Sequence, residues 1–176
     1  MLDQDSAGLF FNKRQLNKKL SGNDTDILQK AKNYCFLLLK FRPRSEKEIY
    51  NRLKRKNFDE KIILAACESL KGSGYIDDNA FSKAWINSRL KKPFGLRRIR
   101  QELKLKGIED NLIESNLAEV RGNYSEEDIV RKAARGRLKR SNVNDPDKAK
   151  KNLYAYLLRR GFASETVINV INQLIH

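Results

Sequence analysis

The chain has 176 residues, with 37 Lys and Arg against 22 Asp and Glu, a formal charge of +15 and a pI near 9.9. No apolar run approaches the roughly 18 residues that a membrane span needs, and the first residues lack the charged-then-apolar order of a secretory signal, so a cytoplasmic protein is expected. This basic excess is more than solubility asks for and argues for a polyanionic partner, nucleic acid first, because each cation near a phosphate releases condensed counterions.

Residues 1–25 show no sustained period and include the loop-like cluster Ser21, Gly22, Asn23 and Asp24; they read as a poorly ordered leader. From Ile27 onward the apolar residues recur at three and four, and Gly and Pro fall between segments, the pattern of short amphipathic helices. The expected order is three helices per unit. The first unit, 26–73, takes helices at 26–41, 45–56 and 59–71; the second, 74–123, at 78–91, 95–106 and 109–120; the third, 124–176, at 126–139, 146–160 and 164–175. Ser45 with Glu48 three residues on predicts a capped helix start, Asp77 or Asp78 is placed to cap the fourth helix, and Asp145 before Pro146 predicts a cap followed by Pro at the first turn.

The units repeat one pattern. Ile49, Leu53, Asn57, Phe58, Ile63 and Cys67 return fifty positions later as Ile99, Leu103, Gly107, Ile108, Ile113 and Leu117, and again as Leu153, Leu157, Gly161, Phe162, Val167 and Ile171. A period near fifty predicts one supersecondary unit used three times, sharing core between neighbours. Asn57, Gly107 and Gly161 sit where a middle helix must turn into its successor through a left-handed residue, with Phe58, Ile108 and Phe162 plugging the turn. The fold expected is an all-α, elongated, curved array of three tandem three-helix repeats. A DNA-reading helix-turn-helix is the alternative label for each hairpin, but Asp59, Glu60, Glu109 and Asp110 put carboxylates, which repel phosphate, at the start of the third helices.

Charge is concentrated in the later units. Residues 81–107 hold nine Lys or Arg against the lone Glu102, and residues 129–161 hold eleven against Asp145 and Asp147. Helical spacing places Arg97, Arg100 and Lys104 on one outward face, and Arg131, Arg135 and Lys139 follow at intervals of four with Lys132 beside them. A merely solvated face alternates sign to gain pairs one turn apart, and these stripes carry no such alternation, so they read as phosphate-facing. Lys91, Lys92, Arg98, Arg159 and Arg160 complete the expected binding set. Phe81 and Trp85, one turn apart, read as core between units, and at least one of Tyr154 and Tyr156 should be partly exposed and free to touch a partner.

Catalytic groups are few. Cys35 and Cys67 fall in core slots of the repeat, and His176 is the only histidine. Gly72-Ser73-Gly74 lacks the Lys and Ser or Thr of a phosphate loop, and Tyr75-Ile76-Asp77-Asp78 resembles a polymerase carboxylate pair but lies at a helix start with no sheet to carry it. No enzyme, metal or cofactor is expected.

Three strings together carry a resemblance: Phe41-Arg42-Pro43-Arg44-Ser45-Glu46-Lys47-Glu48-Ile49; Gly74-Tyr75-Ile76-Asp77-Asp78 with Phe81; and Gly95, Arg98, Ile99, Glu102, Leu103, Lys106-Gly107-Ile108 followed by Leu157-Arg159-Arg160-Gly161-Phe162. Over residues 27–175 the chain resembles the RecX family of bacterial RecA regulators. The resemblance implies a protein that binds the RecA nucleoprotein filament on single-stranded DNA; double-stranded DNA is a further candidate partner, and a monomer is expected. It would lodge in the filament groove and restrain ATPase, strand exchange and coprotease activity in recombination, repair and the SOS response. Two other readings stay open: a basic nucleic-acid-binding module without RecA contact, and a scaffold that binds only protein.

Overall fold

The computed structural model describes residues 22–140 and 145–175, and among these every regular element is a helix. The order is α1 (Gly22–Phe41), α2 (Glu46–Lys54), α3 (Glu60–Gly72), α4 (Asp78–Leu90), α5 (Leu96–Leu105), α6 (Asp110–Arg121), α7 (Glu126–Leu138), α8 (Pro146–Arg159) and α9 (Ser164–Leu174). None of these is long and apolar enough to cross a membrane. The chain divides into two compact units, Met1–Asp77 and Asp78–His176.

In the first unit the helices close around Ala31, Cys35, Ile49, Leu53, Ile62, Ile63, Ala66, Cys67, Leu70 and Ile76. The Ser45 hydroxyl accepts from the Glu48 amide at 3.2 Å, which starts α2 where the sequence puts it. Asn57 takes φ 58° and lets α2 turn into α3, with Phe58 packed on the core. Gly74, at φ 72°, ends α3 in the same way, and the Tyr75 amide returns to the Leu70 carbonyl at 2.8 Å. Both cysteines are buried and in no disulfide, and burial pushes the Cys35 thiol up to about 11, which removes it from thiolate chemistry at neutral pH.

The helix-breaking reading of the Ser21–Asp24 cluster is corrected for its described members. Gly22, Asn23 and Asp24 form the first turn of α1, where Asp24 suits the helix dipole and pairs with Lys61 of α3 at 2.8 Å. The remainder of the expected leader, including Ser21, lies outside the described residues.

The second unit holds two three-helix groups. One closes α4, α5 and α6 around Phe81, Ile86, Ile99, Leu103, Ile108, Ile113 and Leu117; the other closes α7, α8 and α9 around Val130, Ala134, Leu153, Leu157, Phe162, Val167 and Ile171. Gly107 and Gly161 both take φ 82°, and Ile108 and Phe162 are buried beneath those turns. The Asp145 carboxylate accepts from the Asp147 and Lys148 amides at 2.9 and 3.2 Å, with Pro146 opening α8.

Candidate nucleic-acid interface

Helix α5 buries Ile99 and Leu103 and turns its arginines away from that core. Arg97 is exposed, but Arg100 donates twice to Glu114 of α6, at 2.6 and 2.8 Å, and Lys104 pairs with Asp110 at 2.8 Å. Hydrogen bonds from Arg100 hold the Glu114 carboxyl below its ordinary range. On α7, Arg131 pairs with Glu127 one turn earlier. The expectation that these stripes lack pairs is therefore corrected. The neutralising acids come from α6, across space, and from the turn just before the basic run.

Lys91, Lys92, Arg97, Lys132, Arg135, Lys139 and Arg159 are exposed and make no ion pair among the described residues. They are the part of the expected set still open to an outside anion. Arg98 and Arg160 have structural partners as well.

These two join the three-helix groups of the second unit. The Gly95 amide, before α5, donates to the Arg160 carbonyl at 2.8 Å, the Arg98 guanidinium to the Arg159 carbonyl at 3.1 Å, and the Arg160 guanidinium to the Pro93 carbonyl at 3.1 Å. Backbones approach so closely here that a Cβ on Gly95 would lie 2.6 Å from the Phe162 nitrogen, and one on Gly161 2.5 Å from the Arg98 Cβ. Only hydrogen fits. Tyr124, whose phenol is pushed up by burial, sits nearby with its hydroxyl 3.4 Å from the Phe94 carbonyl.

Around this junction cations and rings alternate. Lys106 Nζ lies 4.0 Å and Arg89 Cζ 4.3 Å from the Trp85 centroid; Arg98 and Arg160 lie 4.5 and 5.2 Å from Phe94; Arg160 and Arg137 lie 4.8 and 5.3 Å from Tyr156. Glu102 sits at one end. It accepts from the Trp85 indole at 3.0 Å, from Arg98 at 3.0 Å and from Arg89. Burial alone would raise the Glu102 pKa, but the hydrogen bonds from Arg98, Arg89 and Trp85 and the charge of Arg89 prevail and hold it below its ordinary value.

Trp85, expected as core, and Glu102, the lone acid of its basic run, both belong to this site, as do Phe94, Arg89, Lys106 and Arg137, which lie outside the expected binding set. One signal was legible: Glu102 follows Arg98 by four residues inside a basic run. Phe81 is buried as expected, while Trp85 is half-buried with its polar edge satisfied. Tyr154 and Tyr156 are both half-buried, Tyr154 bonded to Ser164 at 2.8 Å and Tyr156 lined by arginines.

Two family models match the chain: the first three-helix domain of RecX over residues 31–70 and the second three-helix domain over 77–117. Regulatory protein RecX of Haemophilus influenzae strain PittEE is 34% identical over 146 residues, covering 81% of this chain and 93% of that protein. This chain belongs to the RecX family. Regulatory protein RecX of Mycobacterium sp. strain KMS is 31% identical over 148 residues, covering 81% of this chain and 80% of its own length. A crystal structure of regulatory protein RecX superposes with a TM-score of 0.76 at 21% identity, covering 88% of this chain and 80% of that one, and it shares the fold. The all-helical repeat array expected from the RecX resemblance is the observed fold. Several residues that carry the resemblance, Gly95, Arg98, Glu102, Arg160 and Gly161, meet at the α5–α8 junction.

Proposed function

We propose that this protein is a non-enzymatic cytoplasmic regulator of the RecA recombinase, acting as a monomer on the RecA–single-stranded DNA filament. It binds in the filament groove and restrains ATPase, strand exchange and coprotease activity. Its three-helix units, 26–73, 74–123 and 124–176, supply successive contacts along the filament. One observation carries this reading: within a RecX-family chain of charge +15, exposed cations with no ion pair among the described residues lie on the α4–α5 loop, α5, α7 and α8, in the unit that also holds a junction built from arginines and rings. Arg97, Arg135, Lys139 and Arg159, with Lys91, Lys92 and Lys132, make the outward contacts. Arg98 and Arg160 brace the surface, and Arg100, Lys104 and Arg131 carry positive charge whose outward field is partly offset by their carboxylate partners.

The rival is a nucleic-acid-binding module indifferent to RecA. Titration of RecA ATPase on single-stranded DNA separates the two, since simple competition demands enough protein to cover the strand. The expected result is inhibition at ratios well below one protein per RecA protomer. Inhibition only at strand-saturating amounts overturns the reading.

A further inference from the structure

The rings at the α5–α8 junction raise a question that charge alone does not. Proteins that grip single strands without sequence preference usually combine a basic groove with open aromatic faces on which bases stack. Here each ring already carries cations. Trp85 has Lys106 and Arg89 within 4.3 Å of its centroid, Phe94 has Arg98 and Arg160 within 5.2 Å, and Tyr156 has Arg160 and Arg137 within 5.3 Å. Five cations share three rings, and two of them, Arg89 and Arg98, donate to Glu102.

A guanidinium laid on a ring uses its face and keeps its N–H edge for hydrogen bonds. The seat also removes rotamer freedom before any partner arrives, so less is lost on binding. Arg137, exposed and without an ion pair among the described residues, and Arg160, with one donor spent on the Pro93 carbonyl, present such edges beside exposed Arg159. Planar N–H forks match the paired oxygens of a phosphate.

We infer that the α5–α8 junction is a preorganised docking surface for the phosphodiester backbone of a nucleic acid strand, which it reads through phosphates alone, its rings serving as seats for arginines and not as platforms for bases. This deepens the proposed function, on which it rests for the presence of a strand near the protein, but its test needs no RecA.

The test measures binding of the full chain, by fluorescence anisotropy across a salt series, to a labelled oligothymidylate and to an abasic phosphodiester chain of equal length. Both strands are expected to bind with affinities within about threefold of each other, whereas one stacked base would separate them by roughly fivefold or more. Arg137→Gln should lower the slope of log affinity against log salt by about 0.7, the value for one phosphate contact on a single strand. Tyr156→Leu should weaken binding with the slope unchanged, since it removes a seat and no charge.

Loss of binding to the abasic strand, or no binding of either strand at low salt, overturns the inference using the unaltered protein. So does an Arg137→Gln protein that binds both bare strands normally yet fails to inhibit RecA, an outcome that would assign the surface to a protein partner. Failure of the ATPase titration beside normal phosphate-only binding would sink the RecA reading and leave this one standing.

Discussion

Gly161→Ala is expected to destabilise the second unit by about 2–5 kcal/mol, the sum of a left-handed backbone penalty and an overpacked contact. Two related variants separate those causes. Gly74 shares the left-handed backbone, at φ 72°, but a Cβ there meets nothing within 4 Å, so Gly74→Ala should lose only about 1–2 kcal/mol. Gly95 has ordinary extended backbone, φ −76° and ψ 154°, yet its Cβ would sit on the Gly161 carbonyl and 2.6 Å from the Phe162 nitrogen, so Gly95→Ala should lose about 1–3 kcal/mol from crowding alone. For a chain of this size each kcal/mol lowers the melting temperature by roughly 2–4 °C, which calorimetry resolves. A Gly95→Ala protein that melts with the wild type would mean the α5 and α8 groups do not abut as described.

Glu102 carries the second large effect. Its two oxygens take the Trp85 indole, Arg89 and Arg98, with its side chain 18% exposed and those of the arginines 24% and 41% exposed. Glu102→Gln removes the negative charge to which Arg89, Arg98 and the Trp85 indole donate and is expected to destabilise by about 2–3 kcal/mol, below the range for a fully buried pair because water reaches this one. The pH dependence has a definite sign. The folded pKa of Glu102 lies below its ordinary value of 4.5, so the carboxylate's contribution is present above that pH and is lost as pH falls through the depressed folded value. Wild-type stability should therefore fall as pH drops below about 4.5, and Glu102→Gln should flatten that fall, leaving a residual part from Glu114, also held low. Chemical denaturation midpoints at several pH values give both curves; parallel acid limbs would show that Glu102 carries no such linkage.

Much of the fold was legible because the cues are local or periodic. Ile49, Ile99 and Leu153, and Leu53, Leu103 and Leu157, are buried as the repeat register requires, and Asn57, Gly107 and Gly161 all take positive φ at the turns. Caps at Ser45 and Asp145 announced two helix starts, because a side-chain acceptor there satisfies amides that the helix leaves open. Where sequence reasoning failed, the partners lie far apart in the chain. Asp24 meets Lys61 and extends α1; Arg100 meets Glu114; Arg98 reaches the Arg159 carbonyl across sixty-one positions. A helical wheel shows which way α5 turns its arginines but not what waits opposite. For the same reason sequence alone does not show that Arg98 and Arg160, members of the expected binding set, also link two three-helix groups.

Binding to RecA-coated strands and to bare strands of equal length, measured side by side at physiological salt, tests the account most directly. Affinity should be higher for the coated strand, because recombinase and backbone then both contribute. Equal or weaker binding to the coated strand would contradict a filament-directed regulator and leave only a protein that holds nucleic acid.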